Sequence, residues 1–241
     1  LHTKVALQFQ QFMTVGLVWT ALSLFLHWLG GWREIAAIRV SGLIAAGLAV
    51  IMVALRGLQF VPITEFELIV NYRVIGFVLL IMGLVIHGLL TKRYFGDTKQ
   101  GETLRNVIGV AVSVMVLFLL TGEAFDFFKE QIVRTREQGI GDFGTDVDQL
   151  RNLQHLTLSI TWLVFSIVLM VYGFITRDRV QRIVAFVVFG ISILKIFIYD
   201  LSELDTLYRI FSFIGLGIIL MVVSYLYQRF KDVIFGGEEE N

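Results

Sequence analysis

The residues best suited to chemistry lie in the stretch KIFIYDLSELDTLYRIFSF (195–213), which joins two strongly apolar segments. The stretch carries a lysine, three acids and an arginine: Lys195, Asp200, Glu203, Asp205 and Arg209. A lysine within an apolar run either extends its ammonium to the membrane surface or needs a carboxylate or an anion beside it. The stretch therefore admits two interpretations, a binding site or ordinary helix-end chemistry.

Helix-end chemistry explains part of this stretch. Ser202 followed three residues later by Asp205 has the spacing of a capping box, and Asp205 with Arg209 forms a favourable i,i+4 pair. Lys195 is different, because on an α-helix Asp200 would point about 140° away from it. Lys195 would therefore need a partner from another helix.

Partners for Lys195 are available at the same level of the membrane. The predicted ligand site consists of six residues: Lys195, Asp200, Tyr208, Arg209, Glu123 and His155. Cationic side chains of this kind hold phosphate, and carboxylates act as acid or base. We expect a lipid-linked or glycan ligand. No catalytic residue can be assigned, and whether the protein is an enzyme stays open.

The elements that position these residues are apolar segments long enough to cross a bilayer. Of 241 residues, 56% are hydrophobic and only 17% are charged. Continuous apolar runs of this length in lipid must be helices, since their backbone groups have to pair internally. The sequence predicts an all-α membrane helix bundle of seven spans: 11–30, 36–55, 74–91, 106–122, 156–175, 180–199 and 207–228.

Several functional classes are excluded or disfavoured by composition. The chain has no cysteine, and its four histidines lack metal-ligand spacing, so we predict no metal site and no cofactor. His27 and His87 are interpreted as interior hydrogen-bonding or interfacial residues. The net charge of zero and the lack of a basic face disfavour nucleic acid. The expected partners are the lipid bilayer, a lipid or glycan ligand, and other membrane proteins.

Basic clusters predict the orientation in the membrane. TKRY (91–94) and TRDRVQR (176–182) lie in short loops, and lysine and arginine in short loops mark the cytoplasmic side. The C-terminus is then cytoplasmic, and the proposed site lies at the outer face. An N-terminus outside without a signal peptide suggests that the chain is the C-terminal portion of a longer protein.

An internal repeat is the strongest pattern in the sequence. Residues 11–30 align without gaps to 154–173, an offset of 143 that pairs polar and aromatic residues as well as leucines. After a shift of the offset to 136, YRVIGF (72–77) matches YRIFSF (208–213). Spans 1–3 and 5–7 are therefore predicted to be parallel repeats. Lys195 and Asp200 correspond to Met52 and Gly57, so these two charges are specific to the second copy.

The predicted domain organisation follows from the repeat. One membrane domain (1–241) contains repeat A (8–93), span four (105–123), an outer loop (124–153), repeat B (154–230) and a cytoplasmic tail (231–241). The outer loop includes Asp142, Asp146 and Asp148, but it lacks the spacing of a calcium-binding loop.

The segments LSITWLVFSIVLMVYGFITRDRVQRI (158–183) and LKIFIYDLSELDTLYRIFSFIGLGIILMVVSYLYQRF (194–230) resemble domain-of-unknown-function family 2339. The resemblance is clearest over 154–230 and implies a polytopic protein of the bacterial inner membrane, within the cell envelope, without implying an activity. The favoured hypothesis is an envelope protein with an outer-face ligand site. The alternative is a membrane scaffold or assembly subunit. A transporter is disfavoured because the single proline, Pro62, lies in a loop and no span looks broken.

Overall fold

The computed structural model describes residues 2–57, 71–138 and 143–200, together with isolated positions of the last apolar segment (Ile214, Gly217, Ile218, Met221, Ser224 and Tyr225). Every regular element in the three described ranges is a helix. These are α1 (His2–Trp32), α2 (Ala36–Gly57), α3 (Tyr72–Phe95), α4 (Lys99–Gln138), α5 (Phe143–Ile175) and α6 (Arg179–Lys195), followed by a short π-helix (Ile196–Asp200).

Six helices in the described ranges are long and apolar enough to cross a membrane. Each contains one of the first six predicted spans, so the all-α prediction and the positions of six long apolar helices are confirmed. The seventh predicted span, 207–228, lies outside the described ranges except for the isolated positions. The fold shown is therefore an all-α membrane protein with six helices of spanning length.

Glycines bring α1 and α2 together as a close antiparallel pair. A Cβ added at Gly16 would lie 2.6 Å from Cγ2 of Val53, and one added at Gly42 would lie 2.6 Å from the backbone nitrogen of His27. Since real Cβ atoms do not approach this closely, only glycine allows the two backbones to meet. The neighbouring Ala45, Ala46 and Ala49 are also buried, which extends the small-residue face of α2.

Helix α3 packs parallel to α1 in a matching register. Gly76 lies against Met13, Gly83 against Thr20, and His87 against Ser23, in the same order along both helices. Phe77, Leu80 and Leu84 of α3 belong to a buried cluster that also draws residues from α1, α2 and α4: Met13, Ala49, Val53, Ile108 and Met115. This cluster is the apolar core that fixes the relative positions of the first four helices.

Replacement of Gly42 by alanine is expected to destabilise the α1–α2 pair. The new methyl group would collide with the backbone of α1, which cannot move aside, so we expect a loss of roughly 1–3 kcal/mol in the free energy of unfolding. Gly47→Ala is the matched control on the same helix, because a Cβ there meets no atom within 4 Å. Its expected effect is neutral or mildly stabilising. Unfolding by SDS in mixed micelles would measure both, and equal effects would contradict the packing.

Helix α4 is far longer than its apolar segment, and this corrects the predicted outer loop (124–153). The described part of that loop is helical, with 124–138 in α4 and 143–153 in α5. No glycine or proline interrupts the sequence from Glu123 to Gln138, and Arg134 forms an i,i+4 ion pair with Glu130. The helix therefore continues beyond its apolar part, where the high polarity had suggested a loop.

The turn between α1 and α2 has the same geometry as the turn between α5 and α6. Each contains one residue with a positive φ, Glu34 at 58° and Arg177 at 56°. A glycine in the last turn of the first helix packs against an arginine of the second helix in both cases, Gly30 against Arg39 and Gly173 against Arg182. All three pairs of positions are separated by 143 residues.

The chain divides into two compact units, 1–190 and 191–241. The first contains α1 to α5 and most of α6. The second begins in the last turns of α6 and includes the π-helix.

Candidate functional site

A charged cluster forms where α3 begins and the apolar part of α4 ends. Asn71 is the N-cap of α3, and its side-chain Oδ1 accepts a hydrogen bond of 3.0 Å from the amide of Val74. The Nδ2 of the same residue donates to both carboxylate oxygens of Glu123, at 2.9 and 3.0 Å. Asn71 therefore caps the N-terminus of α3 and also fixes the position of the Glu123 carboxylate on α4.

A buried ion pair lies within this cluster. Nη1 of Arg73 is 2.6 Å from Oδ2 of Asp126, and the two side chains are only 4% and 2% exposed. Gly122 makes room for the arginine, since a Cβ there would lie 3.0 Å from both Cδ and Nη1 of Arg73. Lys129 is half-buried one turn beyond Asp126 on α4. The cluster thus contains two cations and two carboxylates.

Helix α5 joins the cluster through hydrogen bonds to α4. Nε2 of Gln154 donates to the backbone oxygen of Phe125 at 3.0 Å, and Nε1 of Trp162 donates to Oγ1 of Thr121 at 2.9 Å. These bonds fix α5 against the turn of α4 that bears Glu123 and Asp126.

The charged cluster has the chemistry of an amphoteric binding site. Arginine and lysine recognise phosphate, and carboxylates accept hydrogen bonds from the hydroxyls of a sugar or glycerol. Charged side chains at membrane depth are costly, and for that reason they frequently mark functional sites. An ion pair between α3 and α4 also has a structural role, because each partner neutralises the other.

A second polar cluster, the histidine cluster, connects α1 and α3 in the interior of the first unit. Nε2 of His87 is 2.9 Å from Oγ of Ser23, and Nδ1 of His87 is 2.9 Å from Nδ1 of His27. All three side chains are at most 1% exposed. The interpretation of His27 and His87 as interior hydrogen-bonding residues is confirmed.

The hydrogen-bond directions in the histidine cluster follow from Ser23. Its hydroxyl donates to the backbone oxygen of Thr20 at 2.7 Å, so it accepts from Nε2–H of His87. With both rings neutral, Nδ1 of His87 accepts from Nδ1–H of His27. Nε2 of His27 is then an acceptor, and it is buried without a hydrogen bond to any described residue. The hydrogen bonds therefore run in one direction: His27 on α1 donates to His87 on α3, and His87 donates to Ser23 on α1.

The six residues of the predicted ligand site belong to different parts of the chain. Glu123 belongs to the charged cluster, and His155 is half-exposed on α5, next to Gln154. Lys195 is half-buried at the end of α6, and Asp200 ends the π-helix, both in the second unit. Tyr208 and Arg209 lie outside the described residues.

The π-helix corrects one step of the sequence argument. An angle of about 140° between Lys195 and Asp200 assumes α-helical geometry. The segment Ile196–Asp200 is a π-helix, in which backbone hydrogen bonds join residues five apart and thereby bring such positions one above the other. The α-helical reason for excluding a pair within this helix therefore does not apply.

Sequence reasoning missed Asn71 and the pairing of Arg73 with Asp126. The signal for Asn71 was its place directly before an apolar run, which is typical of an N-cap. The histidine cluster also had a signal in the proposed repeat. The positions equivalent to His27 and His87 are Met170 and Val223, so both imidazoles are replaced together by apolar side chains.

The fold and its two buried polar clusters define a polytopic helical membrane protein. The chain matches the family described as predicted membrane protein (DUF2339) over residues 1–230, and it belongs to that family. The match covers nearly the whole chain, whereas the sequence had indicated its C-terminal part most clearly. No curated protein and no solved structure matches the chain.

Proposed function

We propose that this protein binds the phosphate-bearing head group of a lipid or lipid-linked glycan at the charged cluster. The observation that carries the proposal is the burial of Arg73 and Asp126 beside Asn71 and Glu123 at the end of the spanning segments. Arg73 and Lys129 supply the cations for a phosphate. Glu123 and Asp126 supply acceptors for hydroxyl groups. An ion pair of 2.6 Å holds the arginine in place when no ligand is bound.

Lipid binding by the purified protein tests this proposal. Native mass spectrometry with dioleoyl phosphatidate should show tighter binding than with dioleoyl phosphatidylcholine. Lys129→Ala should weaken phosphatidate binding about tenfold, because one charge-assisted contact of about 1.5 kcal/mol is lost. Lys99→Ala is the matched control, since this exposed lysine lies at the opposite end of α4. Equal binding of the two lipids, or no effect of Lys129→Ala, would reject the site.

The proposal places the charged cluster at the outer face of a bacterial inner membrane, with the C-terminus in the cytoplasm. Basic residues in the short loops support this orientation. The absence of cysteine allows a clean labelling test. Thr145→Cys should react with an impermeant thiol reagent from outside intact cells, and Lys99→Cys should react only after permeabilisation. The reverse pattern would move the cluster to the cytoplasmic face.

The proposed architecture has seven spans, with spans 1–3 and 5–7 as parallel repeats. The two equivalent turns support it, because their positive-φ residues and their glycine–arginine contacts share the offset of 143. The serine hydroxyls agree as well. Ser23 donates to the oxygen of Thr20 and Ser166 to that of Leu163, each at 2.7 Å.

The six-residue site predicted from the sequence remains a separate hypothesis: Lys195, Asp200, Tyr208, Arg209, Glu123 and His155. Lys195 and Asp200 correspond to uncharged residues in the first repeat, Met52 and Gly57, and the π-helix that follows Lys195 is a geometry frequent at functional sites. Lys195→Met would test it, because methionine occupies the equivalent position, Met52.

A second candidate function is a membrane scaffold that holds other membrane proteins. One observation favours it. Helix α1 presents an open groove of about 670 Å³, lined by Gln10, Gln11, Thr14, Val15, Val18 and Trp19. Glutamine and threonine side chains on an open surface of a spanning helix are typical of helix–helix contacts in membranes.

A further inference from the structure

We infer that the groove on α1 binds a further transmembrane helix that runs antiparallel to α1 and bears a serine or threonine hydroxyl. The inference deepens the scaffold function and rests on the proposed repeat. The chemistry of the partner helix is deduced by comparison with an interface inside the protein.

That interface is the contact between α5 and α4. Gln154 and Trp162 of α5 donate hydrogen bonds to the backbone oxygen of Phe125 and to the hydroxyl of Thr121, at 3.0 and 2.9 Å. The two helices are antiparallel neighbours. One face of α5 therefore binds its partner helix through a hydroxyl and through a backbone oxygen that lies one turn further along that partner helix.

Helix α1 carries the same face without an equivalent helix among the described residues. Gln11 and Trp19 occupy the positions of Gln154 and Trp162 at the offset of 143, and both line the open groove. Neither makes a hydrogen bond to a described residue.

Exposure separates the two faces at the glutamine end, whereas Trp19 and Trp162 are both half-buried. Gln154 is buried, whereas Gln11 is exposed. Val15 is 40% exposed, whereas its counterpart Leu158 is 8% exposed. The difference lies in the partner, because the recognition residues are the same.

The membrane makes an uncovered face of this kind unfavourable. Trp19 lies well inside the apolar span, where an indole N–H loses the hydrogen bonds that water would provide, so it favours a helix that supplies an acceptor. Interhelical hydrogen bonds in bilayers are each worth about 0.6–2 kcal/mol. Two such bonds, together with the burial of Val15 and Val18, would hold the partner helix on α1 and fix the register between the two helices.

Two other occupants fit the groove less well. In a second copy of the chain, α5 already covers the side of α4 that carries Thr121 and the oxygen of Phe125, so that side is not open to α1. By the topology predicted from the sequence, the seventh span (207–228) would cross the bilayer in the same direction as the first span, whereas α4 runs antiparallel to α5. An antiparallel partner helix with a free hydroxyl matches the groove in both respects.

A synthetic peptide of residues 103–127 is the probe, because it carries Thr121 and Phe125 on a helix that no α5 occupies. Energy transfer would be measured between labelled peptide and the labelled 241-residue chain in phosphatidylcholine vesicles. We expect saturable 1:1 binding. Gln11→Leu and Trp19→Phe in the protein, and Thr121→Val in the peptide, should each weaken it threefold to tenfold. Trp28→Phe is the matched control on α1, since Trp28 lies outside the groove.

The outcomes are distinct. Absence of binding, or binding that Gln11→Leu and Trp19→Phe leave unchanged, overturns the inference. Cross-linking of the Gln11→Cys protein into a dimer through this position would assign the groove to a second copy and would also overturn it. Phosphatidate binding by Gln11→Leu is measured in parallel. It should stay unchanged, so a failure of the groove and a failure of the proposed lipid site are read separately.

Discussion

Arg73→Met is expected to destabilise the protein by about 3–5 kcal/mol, because it leaves the carboxylate of Asp126 buried without its cation. The double variant Arg73→Met, Asp126→Leu should recover most of that loss, since no unpaired charge remains. The free energy of unfolding in mixed micelles with SDS would measure both. A double variant as unstable as Arg73→Met would show that the unpaired carboxylate of Asp126 is not the cause of the loss.

An exposed ion pair provides the control for this experiment. Arg151 and Asp148 pair on α5, where their side chains are 54% and 72% exposed. Arg151→Met should cost less than about 0.5 kcal/mol, because a solvated i,i+3 pair contributes little. A large loss there would indicate that the measurement reports general damage to the helices and not the loss of a buried charge pair.

His87→Val is expected to cause the second large loss, about 2–5 kcal/mol. It removes the acceptor of His27 Nδ1–H and the donor to Ser23 Oγ, and each buried group left unsatisfied costs about 1–3 kcal/mol. His27→Met with His87→Val should be closer to the wild type than His87→Val alone. That pair reproduces Met170 and Val223 of the second half and leaves no imidazole without a partner.

The result depends on coupling between the two histidines, which a double-mutant cycle measures directly. The relevant quantity is the difference between the loss in the double variant and the sum of the two single losses. Strict additivity would show that the contact of 2.9 Å between the two Nδ1 atoms contributes no coupling. His155→Val on α5 should have a smaller effect, because His155 is half-exposed.

The sequence predicted the helical segments well because the bilayer imposes a simple requirement. A spanning helix needs a long apolar run, and each of the first six runs lies inside one described helix. The polar continuation of α4 was not predicted, since its charges resemble those of a loop. Only the pairing of residues such as Glu130 and Arg134 identifies that segment as a solvated helix.

The candidate sites were less predictable, because they depend on the register between helices that are distant in sequence. Glu123 was identified from its position at the end of an apolar run, but its contact with Asn71 spans 52 residues. His27 and His87 are 60 residues apart and each looked like an isolated polar residue. Their contact requires the parallel register of α1 and α3, which hydropathy does not specify.

Helix α4 extends well beyond the hydrocarbon layer, and the charged cluster lies where this extension begins. Its 40 residues extend about 60 Å, roughly twice the thickness of the hydrocarbon layer. The turns after Glu123 therefore form a lever arm of about 22 Å, and the ion pair with Arg73 lies near its fulcrum. A tilt of about 10° at that point would displace the tip by about 4 Å. A lipid head group bound at the charged cluster, as proposed, and a force on the arm would therefore act on the same turn of α4.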